Sequence, residues 1–351
     1  MKKLSIFVVL FSLLVSGCAT TQVNRQKVPE IVWPKPPEKP RIKLLAVYTG
    51  SRDIIPESSI ERFLGEIRDF RLIRPHGVVA DSEGNIFVTD TRFLRIIKFD
   101  FKNKKFIVTR GKGQMKVVLP LGLALDEQRR LLFVADGEQD VVIVYDMDTL
   151  ESKFVIGESA KPKLKRPVSV AVDPLRQRIY VTDTRLQDVF AFDYSGRQIW
   201  KLGKDKRSAA DDGFNTPASV AIDSKGNVYV IDTFNRYVKV FTPDGRFIKK
   251  LGYGVGMTPG HFSKPYGVAL DSDDHIYVLD TDFCNFQIFD FDNNLLLFVG
   301  SPGTKYGKFF IPTSIYINKK TDKIYITDTW NARIVVLQYI KYPEEKSSQG
   351  S

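Results

Sequence analysis

The sequence predicts an all-β fold: a six-bladed β-propeller of four-stranded antiparallel blades, the last blade closed by a strand from the N-terminal side. Three observations carry this. One motif recurs six times at nearly constant spacing. Each copy holds short strand-like runs separated by turn residues. The sixth copy is one strand short, while an unpaired strand-like run precedes the first.

The motif is clearest as T-P-A-S-V-A-I-D-S-K-G-N-V-Y-V-I-D-T from Thr216. Its proline recurs at Pro75, Pro120, Pro167, Pro217, Pro265 and Pro312, with spacings of 45, 47, 50, 48 and 47 residues. A period near fifty built from short β-rich runs marks a radial or linear array of repeats. In the first copy Gly77 to Ala80 reads as the inner strand and Ile86 to Thr89 as the second. Leu94 to Phe99 reads as the third and Lys105 to Thr109 as the outer one. Ser-Glu-Gly-Asn at 82–85 supplies a hairpin turn, because Gly and Asn tolerate positive φ. Asp100, Asp146, Asp193, Asp244 and Asp292 fall in the turns before the fourth strands. The sixth copy has only Ser314 to Ile317, Lys323 to Thr327 and Arg333 to Tyr339. Arg41 to Tyr48 (R-I-K-L-L-A-V-Y) is therefore assigned as its outer strand, which leaves no open edge in the ring. One helix is predicted: Ser58-Ser59-Ile60-Glu61 fits a capping box, and Ile60, Phe63, Leu64 and Ile67 recur at helical spacing.

Composition agrees with a large globular β domain. Of 351 residues, 43% are hydrophobic and 26% charged, which argues against wholesale disorder. Two cysteines exclude a disulfide framework, and three histidines (His76, His261, His275) are a thin supply for a metal centre.

The N-terminal side reads as an address. Lys2 and Lys3 precede an apolar run from Leu4 to Val15, too short to span a bilayer comfortably. Val15-Ser16-Gly17-Cys18 resembles the lipobox of bacterial lipoproteins. That resemblance implies cleavage after residue 17, lipidation of Cys18, and, with Ala19 next, the outer membrane, facing either the periplasm or the cell surface. Several acyl chains on one residue anchor stably. Residues 18–40 follow as a linker with five prolines, Pro29 to Pro40, favouring an extended spacer. The propeller is assigned to 41–342 and a polar tail to 343–351. The net charge of +11 falls to +9 once Lys2 and Lys3 leave. It suits anionic lipid or acidic partners; nucleic acid is an unsuitable target in that compartment.

The pattern P-x-[GS]-V-A-[VLI]-D, then [IV]-Y-V-x-D-T, then N-R-x-x-V-F-x-x-[DG]-G, clearest over 217–245, resembles the NHL repeat. Together with the lipobox, the chain resembles bacterial NHL-repeat lipoproteins. The resemblance implies the propeller fold and leaves the activity open, because NHL proteins include an amidating lyase, RNA binders, sensor domains and interaction scaffolds.

Residues present in every copy are assigned to structure: the acids ending the second strands (Asp90, Asp136, Asp183, Asp232, Asp280, Asp328) and those ending the inner strands (Asp81, Asp126, Asp173, Asp223, Asp271) are expected to accept backbone N–H bonds. Function is sought where the copies differ. In an antiparallel meander the start of strand one and the end of strand two share a face. The residues after the prolines (His76, Leu121, Val168, Ala218, Tyr266, Thr313) and those after the Asp-Thr pairs (Arg92, Glu138, Arg185, Phe234, Asp282, Trp330) therefore line one mouth. From these, His76, Arg92, Glu138, Arg185, Phe234, Tyr266, Asp282 and Trp330 are selected as the candidate binding mouth, since aromatic residues and Arg concentrate at interface hot spots.

No catalytic or metal-ligating set is assigned. The amidating-lyase resemblance implies several histidines around zinc, and only His76 occupies a mouth position. Cys284 reads as a small buried residue. No cofactor is predicted, although calcium held by backbone carbonyls in the channel would leave little sequence trace. The expected function is a lipid-anchored, monomeric module that binds an envelope protein. A metal-dependent lyase or hydrolase, or a small-ligand sensor, is the alternative.

Overall fold

In the computed structural model, residues 28–55 and 69–342 are described. Cys18, the apolar leader, the helix expected from Ser58 and the polar tail lie outside them. The described chain forms six antiparallel sheets arranged as a ring. Five have four strands, with inner strands Pro75–Ala80, Pro120–Asp126, Pro167–Asp173, Pro217–Ile222 and Pro265–Leu270. These are blades 1 to 5, and blade 6 has Ser314–Asn318 as its inner strand.

Blade 6 closes as the strand count requires. Ile42–Tyr48 pairs antiparallel with Arg333–Tyr339, from Ile42 opposite Tyr339 to Tyr48 opposite Ile334. Ile42 and Leu44 are buried in one cluster with Phe309, Ile324 and Leu337. A fifth strand, Val32–Trp33, lies outside Ile42–Tyr48. It comes from the proline-rich stretch assigned to the linker, and Ile31 and Trp33 pack half-buried on the same cluster.

The repeated residues explain the packing. The aromatic of each second strand (Phe87, Phe133, Tyr180, Tyr229, Tyr277, Tyr325) is buried between neighbouring blades. The small residue two places after each proline lets inner strands approach. A Cβ on Gly77 would lie 2.3 Å from the Leu121 carbonyl oxygen, and one on Gly122 2.6 Å from that of Val168. Threonine hydroxyls then staple blade to blade. Thr233 donates to the Pro265 carbonyl, Thr281 to that of Pro312, and Thr329 to that of Pro75, at 2.7–3.0 Å. The last of these joins blade 6 to blade 1.

The acids expected to be structural are so. Asp90 accepts from the backbone N–H groups of Ile73, Arg74, Arg92 and Phe93, and Asp183 and Asp280 repeat this set. At the inner-strand ends Asp81 holds Asn85 and Asp223 holds Asn227. Asp244 and Asp292 lie in the expected outer turns, though neither makes the bond that closes its turn. In blade 5 Asp290, not Asp292, accepts from Asn294, and in blade 4 the Thr242 hydroxyl, not Asp244, accepts from the Arg246 N–H.

Candidate functional site

The two ends of the channel are built differently. At one end each inner strand begins with its proline opposite the acid that ends the second strand: Pro75 with Asp90, Pro167 with Asp183, Pro265 with Asp280. We call this the proline face. The hairpins joining first to second strands lie on the other side, the hairpin face.

In blades 1 to 5 the ladder slips just after the proline, as between Pro75 and Val78 or Pro265 and Gly267. A β-bulge re-aims side chains out of the sheet plane. The bulged residues are His76, Leu121, Val168, Ala218 and Tyr266, five of the six post-proline positions. The imidazole of His76 and the ring of Tyr266 meet with centroids 6.1 Å apart. Blades 1 and 5 are not neighbours, so this contact crosses in front of Thr313 of blade 6, whose hydroxyl donates to the His76 carbonyl at 3.0 Å. His76 Nδ1 is buried without a hydrogen-bond partner. Burial holds the imidazole pKa down at about 4, against a smaller opposing effect of Asp90. Burial likewise raises the Tyr266 phenol, which the charge of Arg166 partly offsets.

A pH dependence follows. The folded state favours neutral His76, while the unfolded chain has an ordinary imidazole near 6.5. Above that value both states are neutral and the stabilisation is complete. As the pH falls from 6.5 towards 4 the unfolded chain takes the proton first, and about 3 kcal/mol is lost. Urea denaturation at pH 7 and at pH 4.5, on the native chain and on His76→Phe, isolates this from the carboxylates. The native chain should lose more, and parallel losses would refute the assignment.

The second half of the predicted mouth sits on turns of shared shape. Each turn from second to third strand ends in a left-handed residue: Leu94, Asp140, Gln187, Arg236, Cys284 and Ala332, with φ of 50–64°. The conformation is common to all blades, and the side chains ahead of it vary. Arg92, Glu138, Arg185 and Asp282 are exposed. Arg185 and Glu138 both act on Asp140, whose pKa is raised by burial and by Asp183. Ser263 donates to Asp282 at 3.3 Å. Phe234 and Trp330 are 57% and 55% exposed. Trp330 carries Arg74 over its ring at 5.3 Å and meets Phe310 edge-on at 6.0 Å.

Thus His76 and Tyr266 come together at the centre, Trp330 gathers Arg74 and Phe310, and Phe234 stands on another blade. Sequence reasoning missed Phe310, Phe93 and the loop tip with Val255 and Met257, all exposed on this face. The available signal was the break in the repeat, Y-G-V-G-M-T-P-G at 253–260, where apolar residues alternate with glycine.

The other histidines go elsewhere. His261 lies by Thr258 and edge-on to Tyr253, and His275 Nδ1 is 2.9 Å from Asp271, in the slot Asn85 and Asn227 fill in other blades. Among the described residues no three His, Cys, Asp or Glu side chains converge as a metal-binding group. Cys284 is buried, its thiol donates to the Thr281 carbonyl, and burial raises its pKa.

The predicted mouth does not line the roomier end of the channel. A chamber of about 450 Å³ lies below it and is reached from the hairpin face. Its walls are the inner strands, including Leu125, Val172, Ala221 and Ile222.

Residues 262–291 match the family model of the NHL repeat. Blade 5 of the six-bladed propeller is thus similar to an NHL repeat. The NHL match spans the inner, second and third strands of blade 5. Beyond the repeat, the chain is similar to peptidylglycine alpha-amidating monooxygenase of Rattus norvegicus, 27% identical over 173 residues. That match covers 40% of this chain and 17% of the length of the relative. Among solved structures, it resembles a catalytically inactive virginiamycin B lyase from Staphylococcus aureus determined with quinupristin. The identity is 10%, with 76% of this chain and 80% of that chain covered and a TM-score of 0.54. It also resembles a chain of a nidogen/laminin complex, at 18% identity, covering 66% of this chain and 83% of that chain, with a TM-score of 0.52. At these identities the two structures speak for the fold alone. A shared propeller fold does not by itself assign an activity.

Proposed function

We propose that the chain is a binding module, lipid-anchored at Cys18 in the outer membrane, that docks an envelope protein on its proline face. The observation that carries this is the exposed aromatic and apolar set on a rigid base. The N–H groups of Phe93 and Phe310 are tied to the buried Asp90 and Asp328, those of Phe234 and Trp330 donate to the Asn215 and Phe310 carbonyls, and Arg74 stacks on Trp330. Exposed apolar groups rimmed by charge mark interaction sites. Aromatic and Arg anchors dominate binding energy, and a preformed surface lowers the ordering cost of docking.

The test is crosslinking in membranes followed by capture of the full chain, beside a variant with Arg92→Ala, Phe234→Ala and Trp330→Ala. These side chains are exposed, so the fold should be unaffected. The expected result is a defined protein captured by the native chain and at least tenfold depleted with the variant. The same captured set with both would refute the reading. The partial similarity to an amidating enzyme supports a second one, a lyase or hydrolase using His76 and Tyr266 at the channel end, and stoichiometric metal in the purified protein would then be its first test.

A further inference from the structure

The chamber on the hairpin face has features that the docking surface does not use. Its lining begins at Val78, Gly122, Ser169, Ser219, Val268 and Ser314, below the bulged residues, of which Leu121, Val168 and Ala218 are buried. His76 and Tyr266 meet above that level. The chamber opens on the hairpin face, among the turns that join first to second strands. Its volume lies within the range of small-molecule sites, about 300–1,000 Å³. Its walls are mostly aliphatic, with Ser169, Ser219 and Ser314 at the upper end and Tyr316 from blade 6.

The rim is laced around most of the ring. The Ser82 hydroxyl donates to Glu127 of the next blade at 2.7 Å. Ser224 bonds to Asp274, and Ser272 to Asp322 at 2.8 Å. From blade 6, Lys319 reaches Asp274 and the Ile222 carbonyl, Lys320 reaches Glu127, and Asn318 reaches the Ala80 carbonyl and Glu127. Blade 3 breaks the pattern. Its hairpin carries Pro174 and Leu175 where the others carry Ser, Glu, Lys, Gln or Asp, so it has no side chain at these places to bridge with. Leu175 is 82% exposed and lies on the lip of the chamber. An aliphatic side chain is thus held out in water where the inner lacing opens, blade 3 being tied to blade 2 farther out, where the Tyr194 hydroxyl donates to Asp126 at 2.9 Å.

Charge at the rim is asymmetric in reach. Asp126, Asp173 and Asp223 are buried and turned into their own hairpins by Arg129, Arg176 and Asn227. Burial alone would raise the Glu127 carboxyl, yet hydrogen bonds from Ser82 and Lys320 bring it below its ordinary value. Among the charged residues that line the chamber, those that project are cationic: Arg176, Lys319 and Lys320, paired with Asp173, Asp274 and Glu127, expose 36–64% of their side chains, against 3–26% for those acids.

We infer that this chamber is a binding site for a small single-chain amphiphile with an anionic head. The chain enters past Leu175 into the aliphatic chamber, and the head stays at the rim with Lys319, Lys320 and Arg176. Burial of the apolar chain drives the insertion, and the projecting cations select the sign of the head.

Titration calorimetry of the purified full chain with decanoate, below its micelle concentration, tests this. The expected result is one site per chain, weakened at least tenfold by Leu175→Glu at the lip and by Ala221→Trp inside. Leu175 is exposed, so its variant folds even if the tryptophan variant does not. Ile199→Ser, an exposed apolar residue on the outer strand of blade 3, should leave the affinity unchanged, and decyltrimethylammonium should bind at least tenfold more weakly. Absence of decanoate binding would overturn the inference. So would equal loss with Ile199→Ser, no loss with Leu175→Glu, or equal affinity for the cationic amphiphile.

Discussion

A chain with Leu44 replaced by Asp should lose its cooperative unfolding transition at neutral pH. Leu44 is 2% exposed and faces Leu337 across the closing strand pair, in the cluster that also holds Ile42 and Phe309. An unpaired carboxylate there has no cation or donor to meet, and the strand can escape the cost only by leaving the sheet. Its departure strips the last blade of its outer layer and uncovers an edge of unpaired backbone groups along Arg333–Tyr339. Calorimetry on the native chain, on Leu44→Asp and on Leu44→Met separates charge from shape. The methionine variant should melt within a few degrees of the native chain. A cooperative, near-native transition for the aspartate variant would show that the strand is dispensable.

Replacing Lys239 by Ala should cost about 3–5 kcal/mol, the range for breaking a buried ion pair from one side. Lys239 and Asp232 are both fully buried, with Nζ 2.8 Å from Oδ2. The ammonium also donates to the carbonyls of Ala210 and Gly213, which holds the loop entering blade 4. Gln287 has the same register in blade 5, accepting from the Gly260 N–H and donating to the His261 carbonyl. Removing the lysine strands Asp232, whose pKa burial already raises. The double variant Lys239→Met, Asp232→Asn removes both charges and should recover most of the loss in urea denaturation. If the double variant is as unstable as the single one, the loop contacts and not the ion pair carry the effect.

Both residues show what the sequence discloses and what it withholds. The fold was readable because a ring repeats its solutions: a proline, a buried acid and a buried aromatic recur at fixed offsets, and the missing strand could be counted. Leu44 was legible as part of an unpaired alternating run. Lys239 was not. A lysine flanked by valines in a third strand reads as solvent-facing, and only the loop folded over blade 4 makes that position interior. The bulge after the proline in blades 1 to 5 was invisible for another reason. It is a slip of one residue against a partner strand, and a pattern of period two does not register it. That slip brings His76 and Tyr266 into contact from blades that are not adjacent. The chamber was missed because its walls are ordinary inner-strand residues. Its one irregular signal, an exposed leucine in a turn, resembles loop variation when read alone.

The strand at Val32–Trp33 has a consequence for how the disc presents itself. It is the outermost layer of blade 6, so the described chain joins the body at the perimeter and at neither face. A load attached ahead of residue 28 would hold the disc edge-on, like a coin gripped by its milling. The channel's two ends then open away from that outer layer, on opposite sides of the ring. A protein docked on one and an amphiphile lodged in the other would not compete for room.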